Sequence, residues 1–102
     1  MALMATFKTA YLQREVALDV KVAADVRVGQ VCTLSESGLA AATAAKVGDV
    51  IIAQSDMTVG TGHVPVENRD WKYSDKVAAS TTAKHVMVFM ITDVNDIVTK
   101  TV

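Results

Sequence analysis

The sequence predicts an all-β domain, a small β-barrel or β-sandwich, on two observations. The 102 residues include 17 valines and 11 threonines but only 5 leucines. β-branched side chains suit a pleated sheet and lose rotamer freedom in a helix. Turn-forming residues recur about every ten positions, which divides the chain into roughly seven or eight short strands. A chain of this length forms one domain.

Residues 1–14 are predicted to form an extended N-terminal arm, and residues 15–102 the β domain. Helical periodicity is weak in Met1–Arg14, and no capping residue begins a helix there. Four large side chains of the arm need a surface to lie on, either this chain's own barrel or a neighbouring chain: Leu3, Met4, Phe7 and Tyr11. We expect a neighbouring chain, because terminal segments are ordered only where something ties them down.

Four segments carry the clearest strand patterns. Glu15–Ala23 alternates with a period of two, which predicts one buried face. Val26–Leu34 and Val47–Ala53 each contain a Val-Gly-x-Val phrase, whose glycine indicates a tight turn or bulge. Residues 50–53 and His85–Thr92 are apolar on both faces, so we expect these strands to be covered on two sides.

The intervening residues predict turns and the remaining strands. Ser35–Gly38 should reverse the chain into a return strand over Leu39–Lys46, which then runs into a loop. Asp93–Asp96 is a predicted turn, and Ile97–Val102 alternates and is predicted to close the sheet. The predicted core consists of Val20, Val22, Val31, Val50, Ile52, Val88 and Met90.

Charge and motif content argue against several functions. The net charge is −1 with acids and bases interspersed, so there is no basic footprint for nucleic acid. No apolar stretch reaches the roughly 18 residues of a membrane span. Cys32 has no second cysteine to pair with and is expected to be a buried apolar residue, while His63 and His85 lack the spacing of metal ligands. We therefore expect no enzymatic activity, no cofactor and no metal.

A second group of candidate interface residues surrounds the single tryptophan. Trp71 and Tyr73 are flanked by Arg69, Asp70 and Lys72. Protein interfaces favour Trp, Tyr and Arg at their centres, with charges around them that orient the partner. The segment is therefore predicted to contact another protein. The alternative interpretation places Trp71 in the core.

Two stretches carry a family resemblance, VGQVCTLSESGLAAATA (Val28–Ala44) and VGDVIIAQSDMTVGTGHVPVE (Val47–Glu67). Their Gly-led strands, Leu-Ser-x-Ser-Gly-Leu hairpin and following small residues resemble phage head decoration, or capsid-cement, proteins over about Val16–Val66.

The resemblance implies a β-barrel or β-tulip subunit that binds the assembled capsid lattice, often as a multimer. We therefore expect the major capsid protein as a partner, self-association with a homotrimer as one option, and a place on the virion exterior after synthesis in the host cytoplasm. The alternative is the base of a head fibre or adhesion module that binds a host or sugar ligand.

Overall fold

The computed structural model of the chain describes residues 2–8, 15–53 and 76–102. This part of the protein contains nine β-strands, one short 3-10 helix (Val94–Asp96) and no α-helix. The strands are β1 (Leu3–Phe7), β2 (Glu15–Val22), β3 (Val26–Arg27), β4 (Val31–Ser35), β5 (Gly38–Ala41), β6 (Val50–Ala53), β7 (Lys76–Val77), β8 (Ser80–Met90) and β9 (Ile97–Thr101). The predicted all-β class is confirmed.

Five strands close a small barrel in the order β2-β5-β4-β6-β8. Neighbours run antiparallel except for β2 and β5, which are parallel and pair at Val22 and Leu39. Short and β-branched side chains predominate in the barrel interior, because a barrel of so few strands has little room. The interior consists of Val22, Val26, Cys32, Leu39, Val50, Ile52, Val86 and Val88.

A two-stranded ribbon of β1 and β9 lies against the outside of the barrel. The two strands are antiparallel, from Leu3 opposite Thr101 to Phe7 opposite Ile97. The rings of Phe7 and Phe89 meet edge to face, with centroids 5.5 Å apart and planes at 80°. A second apolar cluster fills the space between ribbon and barrel: Ala5, Phe7, Val31, Ile51, Ala53, Phe89, Ile91 and Ile97.

The central barrel strands are buried on both faces, as their uninterrupted apolar runs predicted. In β6, Val50 and Ile52 face the barrel interior, while Ile51 and Ala53 face the ribbon. β8 alternates in the same way over its last residues. The ribbon therefore serves the barrel as a second layer of the core.

The predicted core residues all lie in or against the core, although they are buried to different extents. Five of the seven are buried: Val22, Val31, Val50, Ile52 and Val88. Val20 and Met90 are half-buried and pack against the barrel interior.

Residues Leu3–Phe7, which belong to the predicted arm, form a strand of the chain's own fold. Besides pairing with β9, it forms a bridge between Met4 and Gln30, and the N–H of Ala5 donates to the carbonyl of Gly29 at 2.9 Å. Met4 is 0% exposed and Phe7 8% exposed. Neither side chain is accessible at the subunit surface, so the expectation that they contact a neighbouring chain is corrected: both pack within their own chain.

Two other strand predictions need correction. Val26–Leu34 is not one strand, because Gly29 has a φ of 91° and breaks it into β3 and β4. β3 leaves the barrel and pairs with β7. The strand predicted over Ile97–Val102 exists but does not close the barrel sheet, since β9 pairs with β1 in the separate ribbon.

Candidate interaction surfaces

The structure describes three of the nine predicted interface residues. Leu3 is half-buried and borders a surface depression. Met4 and Phe7 belong to the interior, as described above. Tyr11 and the segment Arg69–Tyr73, which includes Asp70, Trp71 and Lys72, lie outside the described residues. The proposed contact at Trp71 therefore stays a prediction.

Cys32 is a buried, unpaired thiol, as predicted. Burial raises the pKa of Cys32 to about 12, and the nearby Asp49 carboxylate adds to the rise. A thiol with so high a pKa is protonated at neutral pH and is a poor nucleophile. Within the described ranges, no group of three or more His, Cys, Asp or Glu side chains converges to hold a metal ion.

No helix in the described part of the chain has the length and apolar character needed to cross a membrane.

Two exposed polar contacts join neighbouring segments of the sheets, an ion pair at Asp25 and a contact between His85 and Asp19. The Asp25 carboxylate accepts hydrogen bonds from the N–H of Ala79 at 2.8 Å and from Lys76 Nζ at 3.2 Å, and these lower the pKa of Asp25. His85 Nδ1 lies 3.2 Å from Asp19 Oδ1 across the β2–β8 pair. Both contacts are solvent-exposed and support strand pairing.

The turn that precedes β4 is closed from two sides by Gln30. The N–H of Gln30 donates to the carbonyl of Arg27 at 3.0 Å, and Gln30 Oε1 accepts from the N–H of Arg27 at 2.8 Å. Gly29, the third residue of the turn, has the positive φ that a type II turn requires. The side chain after the glycine thus fixes the shape of the turn.

The turn that precedes β6 has the same construction around Asp49. The N–H of Asp49 donates to the carbonyl of Lys46, and Asp49 Oδ2 accepts from the N–H of Lys46, both at 3.1 Å. Gly48 has a φ of 97°. Asp49 Oδ1 also accepts the hydroxyl of Thr33 at 3.0 Å, which ties this turn to β4.

Each turn also docks on the adjacent strand with the same pair of backbone hydrogen bonds. The glycine N–H donates to the carbonyl of one residue there, and that residue's N–H donates to the carbonyl of the residue after the glycine. The partner is Ile52 of β6 for the first turn, at 2.8 and 3.0 Å, and Ile91, directly after β8, for the second, at 3.0 and 2.9 Å. The two Val-Gly-x-Val phrases are therefore one turn-and-strand unit used twice.

The two turns differ in what covers them. β1 lies across the first turn, where Ala5 bonds to Gly29 and Val28 is half-buried. In the described residues nothing takes the equivalent place on the second turn. Val47 is 66% exposed there, and no atom beyond the two adjacent residues lies within 4 Å of the position that a Cβ on Gly48 would take. The second turn therefore presents an apolar side chain and uncovered backbone on a rigid support.

A second surface is the outer edge of β9. Ala2 and Val102 exchange both N–H···O bonds at 2.8 Å, so alternate residues of β9 bond to β1. The backbone groups of Thr99 and Thr101 then point away from β1, and no described residue pairs with them. Beside this edge is a depression of about 340 Å³ lined by Leu3, Thr43, Ala44, Ala45, Val94, Ile97 and Thr99.

Comparison of the chain with protein-family models, curated proteins and solved structures found no match.

Proposed function

We propose that the protein is a non-enzymatic decoration protein that binds an assembled phage capsid and stabilises it. The family resemblance of the Gly-led strands and the hairpin supports this proposal. The observation that carries it is the uncovered turn Lys46–Asp49, where Val47 stands in solvent on a backbone held by the Asp49 carboxylate. A preorganised contact of this kind loses little conformational entropy on binding.

The covered turn suggests how a partner would bind the uncovered one. At the first turn, β1 supplies a backbone N–H to the carbonyl of Gly29 and apolar side chains beside it. In the proposed complex, an extended segment of the major capsid protein does the same at the second turn. Its N–H donates to the carbonyl of Gly48, and one of its apolar side chains packs on Val47.

Binding to empty phage capsids tests this contact, with Val47→Ser as the variant and Leu34→Ser as the control. Both wild-type side chains are exposed, Leu34 at 44%, but Leu34 lies in the β4–β5 hairpin. At subsaturating protein, V47S should bind about tenfold more weakly or worse, the effect of losing an anchor residue. L34S should bind like wild type, and both should keep the wild-type melting temperature.

Two outcomes contradict the proposal. One is a wild-type protein that does not bind capsids, and the other is a V47S protein that saturates them at the wild-type concentration. The number of copies bound per capsid distinguishes the proposed function from the alternative. A decoration protein fills the repeating sites of the lattice, whereas the base of a fibre or adhesion module occupies few of them.

Trp71 supplies a second test of the proposed function. Replacing Trp71 by Ala should weaken capsid binding or multimer formation by about 2 kcal/mol or more if the residue is an interface anchor. The variant should keep its β circular dichroism and most of its melting temperature. A large loss of melting temperature would instead assign Trp71 to the core. Arg69→Ala and Lys72→Ala should have weaker, salt-dependent effects, because exposed charges are screened.

A further inference from the structure

We propose that two copies of this chain associate by pairing their β9 strands edge to edge. The result is a continuous sheet in the order β1-β9-β9-β1. This inference stands on the ribbon alone and does not require that the protein bind capsids. It goes beyond general self-association, because it names the strand, the register and the symmetry of the contact.

The first argument is the set of backbone groups on this edge that no described residue pairs with. Thr99 and Thr101 direct both their N–H and their C=O away from β1, and the carbonyl of Ile97 has the same direction. The N–H of Ile97 is already used, since it donates to the carbonyl of Val94. An open edge with such groups is a template for another strand.

The second argument is that the edge is complementary to itself in one register. With Thr99 opposite Thr99 of the second copy, the two threonines bond reciprocally, and each Thr101 N–H meets the carbonyl of the opposite Ile97. Val98 then lies opposite Lys100, whose aliphatic stem can cover it. Threonine pairs across strands are favourable.

Neighbouring registers are worse. Centring the pair on Lys100 would use as many backbone groups but would place the two Lys100 ammonium groups opposite each other, which is destabilising. Centring it on Val98 would leave the Thr101 groups without a partner in the opposite β9 and would use fewer hydrogen bonds. Charge and hydrogen bonding therefore select the register centred on Thr99.

The third argument is the depression beside the edge. Residues directly opposite each other in a sheet project to the same face. Thr101 of the second copy lies opposite Ile97, which lines the depression together with Leu3, Ala44, Ala45 and Val94. The incoming Thr101 side chain therefore enters this depression and adds apolar contact to the hydrogen bonds.

The symmetry of the contact follows from its geometry. An edge that pairs antiparallel with an identical edge closes on a two-fold axis and leaves neither edge open. This contact therefore produces a dimer, and it does not by itself produce a trimer.

Disulfide cross-linking tests the register with a matched pair of variants. Thr99→Cys places two cysteines opposite each other on the two-fold axis, with Cα atoms about 5.5 Å apart, within the range of a disulfide. Thr101 is also an exposed position on the same strand, but the two Thr101→Cys side chains are separated by several residues along the sheet. Mild oxidation should cross-link T99C several-fold faster than T101C. The native Cys32 does not interfere, because it is buried. Equal rates for the two variants would overturn the register.

Sedimentation of the wild type and of Thr99→Pro tests the association itself. The Thr99 N–H points away from β1, so proline at this position removes an intermolecular donor and leaves the β1–β9 ladder intact. Wild type should sediment as a dimer. The dimer of T99P should have a dissociation constant at least about tenfold higher, at an unchanged melting temperature. A monomeric or trimeric wild type, or a folded T99P that remains dimeric, would overturn the proposal.

If T99P fails to fold, the cross-linking pair still decides the question. T99P changes the β9 edge and leaves the turn Lys46–Asp49 unchanged. Loss of the dimer in T99P therefore tests the β9 contact, whereas failure of wild type to bind capsids tests the proposed function.

Discussion

Gln30 and Asp49 make the same pair of hydrogen bonds in two successive turns. Each donates its own N–H to the carbonyl of the residue three positions earlier, and each accepts that residue's N–H with a side-chain oxygen. The turns lead into β4 and β6, which are neighbours in the barrel. The side-chain amide or carboxylate of the residue after the glycine thus fixes the turn that leads into each of these two core strands. Asp49 has a further acceptor, which takes the hydroxyl of Thr33.

Removing the Asp49 side chain should destabilise the fold by about 1–3 kcal/mol, because the Lys46 N–H and the Thr33 hydroxyl lose their acceptor. Gln30→Ala should have a similar effect at the first turn. Thr33→Val is the control, since it removes only the hydroxyl bond and should cost less. Denaturant unfolding measures all three. If D49A costs no more than T33V, the bond from Asp49 to the Lys46 N–H contributes nothing.

Two glycines with similar positive φ angles should respond differently to alanine. Gly38 has a φ of 107° and Gly48 one of 97°. A Cβ on Gly38 would lie 2.0 Å from the carbonyl oxygen of Lys21, where β5 meets β2, whereas nothing lies within 4 Å of a Cβ on Gly48. Gly48→Ala should cost about 1–2 kcal/mol for the left-handed backbone alone.

Gly38→Ala should cost distinctly more than that, because the backbone of β2 must also move. Equal losses in free energy of unfolding would show that the close approach to Lys21 does not limit the packing.

The two apolar clusters can be tested separately. Ile52→Ala in the barrel interior should cost about 2–5 kcal/mol, and Phe7→Ala between ribbon and barrel about 3–5 kcal/mol. The exposed Leu34→Ala is the control and should stay within about 0.5 kcal/mol of wild type. Thermal and denaturant unfolding give the values. A Phe7→Ala protein as stable as wild type would show that β1 is not part of the subunit's core.

Cys32 should resist alkylation in the folded protein. Its thiol should also make the free energy of unfolding fall as the pH becomes alkaline. Its folded-state pKa is about 12, raised from an ordinary value of 9.0. Between these two values the unfolded chain has lost the thiol proton and the folded chain has kept it. The unfolded state is then favoured as the pH rises, and the stability present below the lower value is lost progressively.

The measurement compares wild type with Cys32→Ala, in which the other alkaline groups are unchanged. The melting temperature of wild type should fall more steeply between neutral pH and about pH 10.5 than that of C32A. Native wild type should react slowly with iodoacetamide at neutral pH and quickly once unfolded. Rapid reaction of the native protein would mean that the thiol is accessible.

The sequence alone determined the features that depend on local geometry. Alternation in Glu15–Ala23 predicted β2 and its inward face, on which Val22 is buried and Leu18 and Val20 are half-buried, although Val16 at its start is exposed. The unbroken apolar runs predicted that β6 and the end of β8 are covered on both faces. Glycines beside valines marked the turns, because positive φ is a property of single residues. The burial of Cys32 followed from its place within a strand. These predictions succeeded because side-chain direction and turn geometry are set by neighbours along the chain.

Only the tertiary structure decided which strands pair and what covers each face. β1 has an apolar pattern that is the same whether its own barrel or a neighbouring chain covers it, so Met4 and Phe7 could not be assigned from sequence. The parallel contact of β2 with β5, which requires Gly38, joins residues far apart in the chain. The repeated turn was visible as Val-Gly-x-Val, but the bonds of Gln30 and Asp49 were not. Pairing depends on contacts between distant segments, and many β-strands of this chain have similar apolar patterns.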